Sequence, residues 1–78
     1  MTVCWISENK NSYFANYVGL KLIAHLVVEE VADGGWDWHV WDQIGWLEPS
    51  YGLSETAEDA KAQAELVLTA YLNSKVRA

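Results

Sequence analysis

Asp33-Gly34-Gly35 is the feature that most narrows what this chain can fold into. Asp-Gly and Gly-Gly pairs supply the positive φ that tight hairpin turns require, and β-forming residues flank this one on both sides. Before it, Tyr17 to Ala32 carries Val18, Leu20, Leu22, Ile23, Leu26, Val27, Val28 and Val31. After it, Trp36-Asp37-Trp38-His39-Val40-Trp41 reads as the returning strand. A two-residue turn, centred on Asp33-Gly34 or on Gly34-Gly35, fixes which side chains share a face. Val27, Glu29, Val31, Trp36, Trp38 and Val40 are predicted on one face. Leu26, Val28, Glu30, Ala32, Asp37, His39 and Trp41 are predicted on the other.

The rest of the chain builds around this hairpin. Thr2 to Ile6 is apolar enough for an N-terminal strand, and the polar run Ser7–Ser12 reads as a loop. Asp42–Gly45 reads as a second turn. Trp46 to Leu53 reads as a weaker strand that Pro49 confines to a sheet edge. A helix closes the chain. Thr56 is a good N-cap, and Glu58 and Asp59 stand in the first turn, where the helix dipole favours acids. Ala57, Ala60, Ala64, Val67, Leu68 and Tyr71 form an apolar stripe at three- and four-residue spacing. The predicted fold is one α+β domain spanning residues 1–78: a three- to four-stranded antiparallel sheet with a C-terminal helix on one face, in the order β-β-β-α.

A chain of 78 residues is short for a stable core. Cys4 is the only cysteine, so no disulfide closes within the chain, and one Cys with two His cannot supply a standard structural zinc set. Aromatic bulk remains: five Trp, four Tyr and one Phe. Each such side chain can bury about 150–250 Å², which at ~25 cal/mol/Å² sets an upper bound of about 4–6 kcal/mol apiece. The single cysteine suits a reducing compartment. Residues 1–10 lack the basic start and apolar run of a signal peptide, and Val18–Val28 is interrupted by Lys21 and His25 and too short to span a bilayer. A soluble protein of the cytoplasm is expected.

The net charge of −6 is unevenly placed. Residues 29–65 hold ten carboxylates against Lys61 alone, a local charge of −9. Such a field repels nucleic acid and anionic membranes and speeds association with basic proteins. Stacking of single-stranded nucleic acid on sheet aromatics needs Lys and Arg beside them, and here those positions hold Glu and Asp.

No catalytic constellation is legible. His25, His39, Asp37 and Asp42 match no metal or acid/base motif, and His25 falls on the opposite strand parity from His39. Cys4 has no partner at a motif spacing, and a lone Cys more often packs as a small apolar residue. Gly34-Gly35 joins two strands with no helix behind it, so it is no phosphate loop. No enzyme, cofactor or metal is expected. The tryptophans divide: Trp36 and Trp38 share a face with valines and belong under the helix. Trp41 falls among Glu30, Asp37 and His39, where an aromatic anchor within acids fits a protein-binding surface. The expected partner-binding residues are Glu29, Glu30, Asp33, Asp37, Trp41 and Asp42, and the expected partner is a basic protein or ribonucleoprotein, bound by a monomer or a homodimer.

Trp36-Asp37-Trp38-His39-Val40, a turn, then Gly52-Leu53-Ser54-Glu55-Thr56-Ala57-Glu58-Asp59-Ala60-Lys61 entering an Ala-rich helix is similar in pattern to small acidic phage and prophage proteins. Among these the chain resembles anti-CRISPR inhibitors of type I surveillance complexes, over about residues 30–70. That resemblance implies a protein that docks on the basic, DNA-binding surface of a crRNA-guided complex, such as Cascade, and blocks target DNA. A second resemblance runs to HicB-like antitoxin domains, which set a short sheet before a helix opening on a Thr/Ser-x-x-Glu/Asp-Ala pattern and bind a small basic toxin.

Overall fold

The computed structural model describes residues 3–19, 23–42 and 50–76. Five strands, β1 (Ile6–Asn9), β2 (Ser12–Val18), β3 (Ile23–Glu30), β4 (Trp36–Asp42) and β5 (Ser50–Ser54), precede one helix, α1 (Ala57–Val76). The strands form a single antiparallel sheet in the order β1-β2-β3-β4-β5, and α1 packs across β3, β4 and β5. Among the described residues no helix is long and apolar enough to cross a membrane.

The α+β class with a C-terminal helix is as expected, and the sheet is larger than expected. The polar run after Ile6 is not a loop: Ser7 pairs with Tyr13 and Asn9 with Ser12, leaving Lys10-Asn11 as the turn. An edge strand gets its order from backbone pairing and needs no alternating apolar pattern, so β1 can be polar and fully exposed. Val3–Trp5 lies outside the strand, with Val3 and Trp5 packed against the core. The long run from Tyr17 divides between β2 and β3; its residues 20–22 fall outside the described residues. So do residues 43–49, which held the rest of the second turn, the start of the weaker strand and Pro49.

The hairpin turn differs by one residue, with wide consequences. Gly34 N donates to Val31 O at 3.0 Å, and Val31 N donates to Gly35 O at 2.8 Å. Among the described residues Gly34 alone has positive φ, at 90°. This is a three-residue loop, Ala32-Asp33-Gly34: a tight turn followed by a left-handed glycine that bulges the strand. An odd loop reverses the parity of β3 relative to β4. Val28 therefore lies opposite Trp38 and Leu26 opposite Val40, while Val27 and Glu29 turn to the far face with His39 and Asp37.

The helix-side face is the core. Ala15, Ala24, Leu26, Val28, Trp38 and Val40 meet Ala60, Ala64 and Leu68 of α1. Alanines on the first turns let the helix approach a sheet face that carries an indole. The N-cap forms as the sequence indicates: Asp59 N donates to Thr56 Oγ1 at 3.1 Å. Lys61 then reaches Glu58 at 3.3 Å and lies 3.8 Å from the Tyr13 ring centroid, tying α1 to β2. Thr56→Ala is expected to lower stability by about 1 kcal/mol, read as a shift of the urea midpoint at constant slope.

Candidate protein-binding face

With α1 on one side, the other side of the sheet carries no covering element among the described residues. Strand register sets its side chains in transverse rows. Nearest the hairpin turn are Ser12, Glu29, Asp37 and Leu53. Next come Ile6, Phe14, Val27, His39 and Tyr51. Then follow Asn16, His25 and Trp41, and last Val18 and Ile23. The face therefore runs from an acidic end through an aromatic and imidazole belt to an apolar end, with no Lys or Arg among these residues.

Local contacts hold the belt in place. His25 Nδ1 lies 2.7 Å from Asn16 Oδ1, and an amide oxygen as acceptor assigns the proton to Nδ1. The His25 ring also leans on Trp41, with centroids 5.4 Å apart, and His39 stacks on Tyr51 at 6.2 Å. His39 Nε2 is 3.7 Å from Asp37 Oδ1. Trp41 stays 38% exposed despite these neighbours, and Tyr51 and Leu53 are 76% and 68% exposed. Glu29 and Asp37 sit directly opposite each other across β3 and β4. Like charges in a cross-strand pair destabilise a sheet, and such local conflicts are expected where a surface serves a partner rather than the fold.

The structure sorts the six residues expected to bind a partner. Glu29, Asp37 and Trp41 share the uncovered face. Asp33 is exposed in the hairpin loop at the acidic end. Glu30 stands on the helix side of the sheet, opposite Trp36, its N–H donating to Asn11 O at 2.9 Å. It left the Trp41 face because the loop is three residues long. Asp42 is the larger correction: it belongs to β4 rather than to a turn, faces the helix side and is only 7% exposed. Its carboxylate lies close enough to Tyr71 to raise that phenol's pKa, second to the desolvation that is the main cause. His25 and His39 in turn share the face that sequence parity had split.

Sequence reasoning missed Tyr51, Leu53, Phe14, Ile6, Val18 and Ile23. One signal was present in β5, where Ser50, Gly52 and Ser54 alternate with Tyr51 and Leu53. The small residues face the helix because Trp38 fills the space above Gly52, so the large ones must face out.

The Tyr71 shift carries its own expectation. Its folded pKa lies above the ordinary tyrosine value of 10.0, so above that pH the unfolded chain releases the proton first. Stability is then whole below about pH 10 and falls as pH rises through the folded pKa. Tyr71→Phe is expected to remove this part of the alkaline loss, seen as a smaller drop in urea midpoint between pH 8 and pH 11.

Among the described residues no group of three or more His, Cys, Asp or Glu side chains is placed to hold a metal ion. Comparison of the chain with known protein families, with curated proteins and with solved structures finds no match, so a functional reading rests on the face itself.

Proposed function

We propose that this protein is a binding module that lays its uncovered sheet face on the basic surface of a partner protein or ribonucleoprotein, and so keeps nucleic acid off that surface. The observation that carries the reading is the face: exposed Trp41 and Tyr51 on the same side of the sheet as the Glu29–Asp37 pair, with no Lys or Arg among its residues. Aromatic anchors flanked by charge of one sign are what a protein interface offers, and a basic partner would relieve the Glu29–Asp37 repulsion on binding. Further acids lie toward the same end, with Glu30 and Asp33 at the hairpin and Glu55, Glu58 and Asp59 at the start of α1, all exposed. They would steer a basic partner toward that end. The mode requires no catalytic group. In its specific form, suggested by the resemblance to anti-CRISPR inhibitors, the partner is the DNA-binding surface of a type I surveillance complex.

Reversing the pair, Glu29→Lys with Asp37→Lys, tests the electrostatic part. With the partner recovered on the tagged wild-type protein, affinity is expected to fall at least tenfold, equivalent to about 1.4 kcal/mol, with the circular dichroism spectrum unchanged. Wild-type affinity is expected to weaken with added salt, because exposed charges are screened beyond about 8–10 Å. Unchanged affinity in the reversed variant contradicts the proposal.

A further inference from the structure

The uncovered face is not flat: its belt holds a hollow of about 300 Å³, lined by Glu8, Phe14, Asn16, His25, Val27 and Trp41. The backbone of Ala15 and Leu26, paired across β2 and β3 with their side chains in the core, forms its floor. Strand register brings most of the lining together. Phe14 and Val27 stand in one row, and Asn16, His25 and Trp41 stand in the next. Glu8 arrives by a different device. Ser7 pairs with Tyr13 and Asn9 with Ser12, so Glu8 is the extra residue of a β-bulge, and bulges re-aim the side chain they add. Local hydrogen bonds hold the bulge: Ser7 Oγ donates to Asn9 O at 2.9 Å, and Asn11 N donates to Asn9 Oδ1 at 2.7 Å. Ser12 Oγ donates to Glu8 Oε2 at 3.4 Å, which draws the carboxylate from the sheet edge toward β2.

We infer that this hollow takes the guanidinium of an arginine side chain on the partner. The inference rests on the basic partner proposed above and adds where one of its charges lands. A guanidinium needs aromatic faces to stack on and a carboxylate for its paired N–H donors. Phe14 and Trp41 supply the first, and Glu8 supplies the second. The proton on His25 Nδ1, directed at Asn16, leaves a lone pair on Nε2 as a further acceptor. Val27 offers apolar contact to the aliphatic stem. Among the described residues no Lys or Arg lines the hollow, and no ion pair involves Glu8. Other occupants fit less well. An anion meets the Glu8 charge, and an apolar group that covered Glu8 would leave a desolvated carboxylate without a counter-charge. A lysine ammonium is a compact, strongly hydrated point charge that lacks the planar fork. Arginine alone stacks and pairs in one pose.

Titration of the isolated protein with N-acetyl-arginine amide, followed by nuclear magnetic resonance at constant ionic strength and about pH 8, where an ordinary imidazole is neutral, tests this. Saturable shifts in the millimolar range, as befits one side chain, are expected at the Trp41 indole N–H and the amides of Phe14, Asn16 and Val27. The citrulline analogue, the same shape without the charge, is expected to give none, and the lysine analogue is expected to bind about threefold more weakly or worse. Glu8→Gln is expected to weaken the arginine response by about threefold or more, with an unchanged circular dichroism spectrum. No response to arginine, an equal response to either analogue, shifts centred on Asp33 and Glu55 instead, or a Glu8→Gln response equal to the wild type overturns the inference. No partner is present in this titration, so its outcome is separate from that of the Glu29→Lys with Asp37→Lys variant. A hollow silent to arginine in a protein whose partner binding falls on that reversal overturns only the inference. A hollow that takes arginine in a protein whose partner ignores the reversal overturns only the broader reading.

Discussion

Trp38→Ala is expected to bring this domain close to unfolding. The indole is 8% exposed and lies across Gly52 of the neighbouring strand, beneath α1. Truncating a buried Trp costs about 3–5 kcal/mol, while a domain of this length has a total stability of about 4–12 kcal/mol. The indole and Gly52 form one unit. A Cβ added at Gly52 would lie 2.6 Å from the Trp38 ring, closer than such contacts allow, so the ring or the strand must shift. Gly52→Ala alone is therefore expected to cost about 1–3 kcal/mol. In the Trp38→Ala background the same change is expected to be neutral or stabilising, since alanine suits a strand interior better than glycine by about 0.5–1 kcal/mol. Urea titrations of the four proteins in this cycle check the coupling, and additive costs would show that the ring and the glycine do not constrain each other.

The same truncation three residues along β4 is expected to do the reverse. Trp41→Ala removes a half-exposed ring whose face has no covering element among the described residues, so it is expected to shift the thermal midpoint only slightly. Its effect falls on the partner. A buried aromatic anchor at an interface is worth about 2 kcal/mol or more, so affinity is expected to drop about thirtyfold. Titration calorimetry against the partner, with thermal melts of the free protein alongside, separates the two tryptophans. A Trp41→Ala variant that binds normally contradicts the assignment of this face.

That division between Trp38 and Trp41 was legible in the sequence because alternation within one strand depends on that strand alone. The helix was legible for the same reason: the Thr56 cap and the Ala60, Ala64, Leu68 stripe are local patterns. What alternation could not give was the relation between strands. Asp33-Gly34-Gly35 suits a two-residue turn and a three-residue one equally well, and only the hydrogen bonds around Val31 distinguish them. That one residue decided whether Val28 or Val27 joined Trp38, and whether Glu30 or Glu29 joined Trp41. Burial of Asp42 was illegible for a related reason. Asp42 faces the helix side of the sheet, and only the folded helix brings Tyr71 near enough to feel its charge. The polar β1 gave no signal because edge pairing asks little of side chains.

Everything proposed for the partner turns on which side of the sheet is covered when it binds. Hydroxyl-radical labelling read by mass spectrometry reports this residue by residue, since Trp and Tyr oxidise readily where solvent reaches them. Binding of the partner is expected to suppress labelling at Trp41 and Tyr51 and to leave exposed Leu66, on the helix side, unchanged from the free protein. Suppression along the outer side of α1 with Trp41 and Tyr51 still labelled would place the partner on the opposite side of the molecule and contradict the proposed binding face.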